Sequence, residues 1–271
     1  MERVVAENGV VFYRSKIIPC IHGFSTRLGG VSVLPHTASL NLGVDRGDST
    51  ETVIENLGRF ANALGIDAEG IISVSQIHSV KIRRVDASHR GEGFYKKETE
   101  ACDGYFSFSP QISLGVRTAD CVPVLLYAEK KDGSSAVAAL HAGWRGTAGG
   151  IVKSAVEEFL SEGFDADTVR AAIGPAIGRC CYTVKNDFYA TFLEAAGKKI
   201  TDEFVHPVAD GVWAADLKGA NKKMLEVLGV LPENIDVSSE CTCCNSNEFF
   251  SHRYSHGHRG TMLSVIANVK R

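Results

Sequence analysis

No stretch of this 271-residue chain is apolar for long enough to cross a bilayer: the longest such runs, 121–128 and 262–269, fall far short of a membrane span. The opening residues Met1-Glu2-Arg3-Val4 lack the apolar core of a secretory signal, so a soluble, cytoplasmic protein is expected. Charge of one sign is also missing. With 29 Lys and Arg against 32 Asp and Glu, the net charge of −3 provides no field to draw the chain onto nucleic acid or anionic lipid. A small-molecule partner fits better. There is no internal repeat, no Pro/Ser-rich linker and no Gly-Lys-Ser/Thr phosphate loop.

Cysteine, by contrast, is plentiful. The chain has 8, but one of this length needs no disulfide stapling, so reduced thiols are expected. Cys180-Cys181 and Cys241-Thr242-Cys243-Cys244 do not form a pair of C-x2-C elements. Adjacent cysteines tend to diverge, and structural or solvated roles are expected for them, as for His256 and His258 nearby.

Periodicity predicts a mixed layout. Val53, Ile54, Leu57, Phe60, Ala61 and Leu64 recur at helical spacing behind Ser49 or Thr50, predicting a helix over 50–64. Further helices are expected over 147–160, 184–196 and 217–228. Short β-branched runs predict strands at 71–74, 80–85, 105–108, 112–116, 169–173 and 262–269, with 105–108 and 112–116 resembling a hairpin across Ser109-Pro110-Gln111. Segments 122–128 and 135–140 flank Lys130-Lys131-Asp132-Gly133 and read as a second antiparallel pair. Helices mixed with strand hairpins indicate an α+β, layered fold.

The segment His141-Ala142-Gly143-Trp144-Arg145-Gly146-Thr147 combines a metal ligand, a guanidinium and glycines ahead of a helix, 20 residues after Asp120-Cys121. A catalytic zinc takes three protein ligands and keeps a fourth position for water or substrate. His78, Cys121 and His141 would supply such a set, each at the edge of an expected strand, although their separations fix no geometry. Packed or hydrogen-bonded roles are the alternative for each. Asp120 could orient a ligand or accept a proton, and Arg145 could hold a phosphate or carboxylate. Gly143, Gly146, Gly149 and Gly150 either expose amides to an anion or simply form a tight strand-to-helix connection. Arg27, beside the Gly29-Gly30 loop, is a further anion candidate, with a surface turn as its plain alternative.

Several motifs occur in order: Arg27-Leu28-Gly29-Gly30-Val31-Ser32, Leu40-Asn41-Leu42-Gly43, Gln76-Ile77-His78, Thr118-Ala119-Asp120-Cys121-Val122-Pro123, His141-Ala142-Gly143-Trp144-Arg145-Gly146, Ile173-Gly174-Pro175 and Phe249-Phe250-Ser251. Over nearly the whole chain this set resembles the laccase-domain, or "polyphenol oxidase", family. The resemblance implies one domain over 1–271 with a four-layer α/β/β/α mixed-sheet fold similar to cytotoxic-necrotizing-factor catalytic domains. It also implies purine nucleoside phosphorylase activity on adenosine, inosine and S-methyl-5'-thioadenosine, using phosphate and releasing free base and the (methylthio)ribose 1-phosphate, together with adenosine deaminase activity. The family's metal ligands fall on His78, Cys121 and His141. The chain departs from the pattern at Ser79, where glycine is usual, and at Cys102, where alanine is usual and a thiol would lie near the site.

On this reading Arg27, Arg145 and Thr147 are the phosphate candidates, zinc polarises the nucleoside or activates water, and Asp120 is a candidate acid/base. The deaminase signature of His-x-Glu with Pro-Cys-x-x-Cys is missing. A copper-dependent, laccase-like oxidase is the alternative enzyme. His-x-His occurs only at His256 and His258, so copper substituted into the zinc site is the form that alternative takes. A non-catalytic, metal-stabilised binding module is the third reading, and it requires a fourth protein ligand that closes the site.

Overall fold

A computed structural model describes residues 1–270. One sheet contains β1 (Glu2–Val5), β2 (Val11–Arg14), β3 (Cys20–Ser25), β4 (Ile71–Ile72), β7 (Ser113–Thr118) and β15 (Met262–Lys270), in the order β1-β2-β3-β15-β7-β4. A second contains β5 (Ile82–Arg84), β6 (Gly104–Ser107), β8 (Val122–Glu129), β9 (Ser135–Ala142), β10 (Arg170–Ile173) and β14 (Ile235–Val237), in the order β14-β10-β8-β9-β6-β5. A small third sheet joins β11 (Thr183–Lys185), β12 (Val205–Ala209) and β13 (Val212–Ala215). Both large sheets mix parallel and antiparallel pairs, so the chain is α+β as expected.

Side-chain alternation along two strands builds the layers, because successive residues point to opposite faces of a sheet. In β15, Leu263 and Val265 pack against Leu57, Phe60 and Ala61 of helix α1 (Thr50–Leu64). Met262 and Ile266, one position out of phase, meet Leu125 and Tyr127 of β8 between the two sheets. The remaining β8 positions, Val124, Leu126 and Ala128, face α3 (Ile151–Ser161) and α5 (Leu217–Val227) through Val152, Val156, Phe159 and Leu225. The order is therefore helix, sheet, sheet, helices. Each large apolar side chain buried in these layers contributes about 1.5–3 kcal/mol.

Helix α1 forms over the predicted residues, with Ser49 accepting the Thr52 amide at its start. The antiparallel pairing of β8 with β9 also follows expectation. The expected hairpin between 105–108 and 112–116 does not form. β6 joins the second sheet opposite β9, and β7 joins the first opposite β15. Both strands are buried on both faces, and such runs carry no alternation to fix a partner.

The helix expected over 147–160 is two helices, α2 (Trp144–Gly149) and α3, broken at Gly150 with φ 81°. That left-handed conformation suits glycine and ends a helix. The helix expected over 184–196 runs on as α4 (Asn186–Phe204), with a non-helical break at Gly197. Among the described residues no helix is long and apolar enough to cross a membrane.

Candidate active site and metal centre

The β8–β9 hairpin closes the gap between Cys121 and His141. Val122 pairs with Ala142 and Pro123 with His141, so Cys121, just ahead of β8, stands beside the end of β9. His78 arrives on the connection between β4 and β5. Its ligand atom and those of Cys121 and His141 lie within 4.8 Å of one another, and the two imidazoles meet edge to face at 4.9 Å. Two histidines and a thiol form a borderline-soft set suited to a divalent transition metal.

The carboxylate that organises this set is Asp103, just ahead of β6 and fully buried. Its Oδ1 accepts His141 Nδ1 at 2.8 Å and the His78 amide at 2.9 Å. Its Oδ2 accepts the Ser79 amide and hydroxyl, both at 2.7 Å, and the Ile77 amide at 3.3 Å. Two consequences follow. His141 Nδ1 is occupied, which leaves Nε2 to bind a metal, the arrangement usual for an oriented histidine ligand. The 77–79 turn is also pinned, which sustains His78 at φ 59°, a conformation that costs a residue with a Cβ about 1–3 kcal/mol.

The charges reinforce one another. Burial opposes the Asp103 charge, but hydrogen bonds from His141 and Ser79 bring its carboxyl down to about 2. Burial likewise opposes charge on His141, yet the Cys121 thiolate and Asp103 raise it to about 9. For Cys121, burial favours the thiol, and the His141 charge with hydrogen bonds from both histidines lowers it to about 6. Each of the three groups thus favours the charged form of its neighbour.

Gly143 sets how closely the ligands can approach. A Cβ there would meet His78 Cδ2 at 2.9 Å, Cys121 Sγ at 3.4 Å and His141 Cε1 at 3.5 Å. Its φ of −62° is open to any residue, so the requirement is for space rather than conformation.

Two hollows meet at His78 and Cys121. One, of about 290 Å³, is also lined by His141 and is rimmed by Arg46, Arg117, Arg259, Gln76 and Asp45. Arg117 Nη1 and Arg259 Nε are buried with no hydrogen-bond partner among the described residues. The other hollow, of about 340 Å³, is walled by Ile77, Trp144, Tyr182, Ile177 and Leu217, with Arg145 and Asp120 on its lining.

The predicted residues divide accordingly. Arg145 reaches the second hollow, its guanidinium lying 4.2 Å from the Trp144 ring centroid. Asp120 lines the same hollow, but its carboxylate accepts the Thr242 hydroxyl at 2.6 Å and the Arg253 amide at 2.7 Å, and so braces two loops. Arg27 lines neither hollow. It donates to the carbonyls of Ala38 and Ser246 and lies over Phe250. Thr147 is fully buried, donating to Ala142 O and accepting from Asn221. The glycine-rich turn leads only into the six-residue α2, so no long helix dipole points at the site. Cys102 packs between the sheets, outside the ligand group.

Asp103, Arg46, Arg117, Arg259 and Tyr182 join the site without having been expected from the sequence. Asp103 alone had a local signal, in the Cys102-Asp103-Gly104 step just ahead of a strand. The arginines are scattered, and only the fold gathers them.

The chain belongs to the family described as multi-copper polyphenol oxidoreductase laccase, whose pattern matches residues 21–268. It is 36% identical over 252 residues to the purine nucleoside phosphorylase YlmD of Geobacillus stearothermophilus, covering 91% of this chain and 89% of that protein. It is 33% identical to a protein from an unknown prokaryotic organism named adenosine deaminase RL5, covering 88% of this chain and 90% of that one. The crystal structure of the Geobacillus YlmD superposes with a TM-score of 0.85 at 33% identity, over 96% of each chain.

Proposed function

We propose that this chain is a metal-dependent purine nucleoside phosphorylase that also deaminates adenosine, working as one domain over 1–271. One observation carries the reading: the His78, Cys121 and His141 group stands where an arginine-rimmed hollow meets an aromatic one. Phosphorolysis needs an anion held on one side of the ribose and a purine on the other, with positive charge building at C1′ between them. Relatives bearing both activity names support the assignment.

In this scheme inorganic phosphate takes the first hollow. Arg46, Arg117 and Arg259, which line that hollow, bind it. The purine lies against Trp144 and Ile177, with Arg145 at its edge. A phosphate oxygen bonds to C1′ as the C1′–N9 bond breaks, and the electron pair leaves with the base, which takes up a proton. Burial raises the Tyr182 hydroxyl well above its ordinary range, so it stays protonated and able to donate a hydrogen bond to the departing base. Asp120 keeps the wall beside it in place.

The donor set and the Asp103–His141 contact fit zinc, with copper a possible substitute. When bound, zinc supplies Lewis-acid polarisation and activation of water for attack at purine C6. The group offers three ligands and faces a cleft, which favours this reading over a closed binding module.

The test is incubation of purified protein with adenosine and phosphate, followed by chromatography of the products. Adenine and ribose 1-phosphate are expected, with inosine forming even when phosphate is omitted. Absence of both products, or products undiminished in His141→Ala, would reject the proposal.

A further inference from the structure

A second cluster of ligands lies outside this site. Cys180, Cys181, Cys241 and Cys244 hold their sulfur atoms within 4.8 Å of one another. Cys180 Sγ and Cys181 Sγ each stand 3.4 Å from Cys244 Sγ. Sulfur ligands at about 2.3 Å from a tetrahedral zinc lie about 3.8 Å apart, so small side-chain rotations complete the shell. Adjacent cysteines ordinarily diverge, but here the chain turns, with the Cys181 and Tyr182 amides both donating to Gly178 O. That turn presents consecutive thiols to one point.

The surroundings suit a thiolate cluster. The Gly178 amide donates to Cys241 Sγ at 3.1 Å, the backbone-to-sulfur contact that stabilises a thiolate ligand. A Cβ on Gly178 would come within 3.2 Å of Cys180 Sγ, so glycine lets the loop lie against the sulfurs. Lys218, buried and donating to the carbonyls of Ser238 and Glu240, places a cation beside a tetrathiolate whose charge zinc only half cancels. Ala176 and Cys241 form an isolated parallel bridge, so the two loops are already in register.

We infer that Cys180, Cys181, Cys241 and Cys244 form a closed zinc site, distinct from the His78 group, that clamps two loops together. One loop carries Ile177 and Tyr182 of the aromatic wall, and the other carries Thr242, which with Arg253 holds the Asp120 carboxylate. Binding displaces the thiol protons to solvent, and no electron transfer is involved. Four protein donors leave no open position, so the role is structural.

The test uses the full chain purified in reductant, with zinc counted by native mass spectrometry. The double variant Cys180→Ser/Cys244→Ser should hold one ion fewer per chain than the parent and still retain the ion that His141→Ala removes. Unchanged zinc content in the double variant overturns the inference. A measurement on the unaltered chain guards against misfolding of the variant: maleimide labelling of metal-stripped protein, read residue by residue. Cys180 and Cys244 are exposed, so added zinc should slow their labelling roughly tenfold or more, because the bound thiolate is no longer the free nucleophile. Cys243, outside the group, should keep its rate and serves as the control. Equal rates at Cys180 and Cys244 with and without zinc overturn the inference, as does recovery of Cys244 in a disulfide under reductant.

Discussion

The two ligand groups of this molecule contrast at every level. The His78, Cys121 and His141 group mixes nitrogen with sulfur, is braced by a buried carboxylate and faces two hollows. The Cys180, Cys181, Cys241 and Cys244 group is all sulfur, is supported by a backbone amide and reaches the surface at Cys180 and Cys244. The difference shows how one chain separates reactivity from reinforcement. Three donors beside a cleft leave room for a reactant, whereas four donors on facing loops leave none. Each group also presses a glycine against its ligands, Gly143 in the first and Gly178 in the second.

The comparison breaks most sharply at Gly143. Gly143→Ala forces a methyl group to 2.9 Å from the His78 ring, with Cys121 and His141 also in its path. Metal at this site and phosphorolysis should both be lost, while the thiolate group keeps its zinc. Metal counting alongside the product assay checks this, and a variant with full activity would show that the three ligands do not need their present spacing. The next largest effect is expected at Asp103. Asp103→Asn removes the charge that orients His141 and should weaken metal affinity by about 10- to 100-fold, the range for loss of such an outer partner. Competition with a chelator measures it, and an unchanged affinity would mean His141 is held by packing alone.

A pH series sharpens the same contrast. Without metal, His141 titrates at about 9 and Cys121 at about 6. Between those values the site already holds a thiolate, and a cation must displace one proton, from His141. Apparent metal affinity at this site should therefore rise about tenfold per pH unit up to about pH 9 and then level, with a steeper fall below about pH 6 where the thiol proton must also leave. Titrations of Cys180→Ser/Cys244→Ser protein isolate this site. A flat profile from pH 6 to 9 would contradict the imidazolium–thiolate pairing.

Much of the His–Cys–His site was legible because its ligands sit at the ends of strands whose pairing the sequence already indicates. The 122–128 and 135–140 pair, once closed by Lys130-Lys131-Asp132-Gly133, brings Cys121 to His141 by register alone. Asp103 and the three arginines stayed hidden for the opposite reason: β6 and β7 carry no alternation, so their assignment to different sheets follows from long-range packing. The cysteine cluster is hidden in the sequence because adjacent thiols are expected to diverge, whereas the turn at Gly178 brings Cys180 and Cys181 to one point. Gly150 is one of four glycines that suit either an anion-binding turn or a tight strand-to-helix connection, and its positive φ ends α2, so the glycines divide between spacing and helix breaking.

The smallest expected effect separates Thr147 from the arginine-rimmed hollow. Sequence placed Thr147 beside phosphate, but the fold buries its hydroxyl between Ala142 O and the Asn221 amide. Thr147→Val keeps the shape and removes that link. Asn221 Nδ2 still donates to Leu217 O, so the two lost neutral hydrogen bonds should together cost about 1–3 kcal/mol of stability. Urea unfolding of the metal-free chain reads that loss, and the KM for phosphate should stay at the parent value. Arg259→Ala should instead raise the phosphate KM, because Arg259 lines the hollow, and it should also cost some stability, because Nη1 donates to Gly260 O and Thr261 Oγ1. A phosphate KM that moved with Thr147 would return the anion to the glycine-rich turn and leave the arginine-rimmed hollow without its assigned ligand.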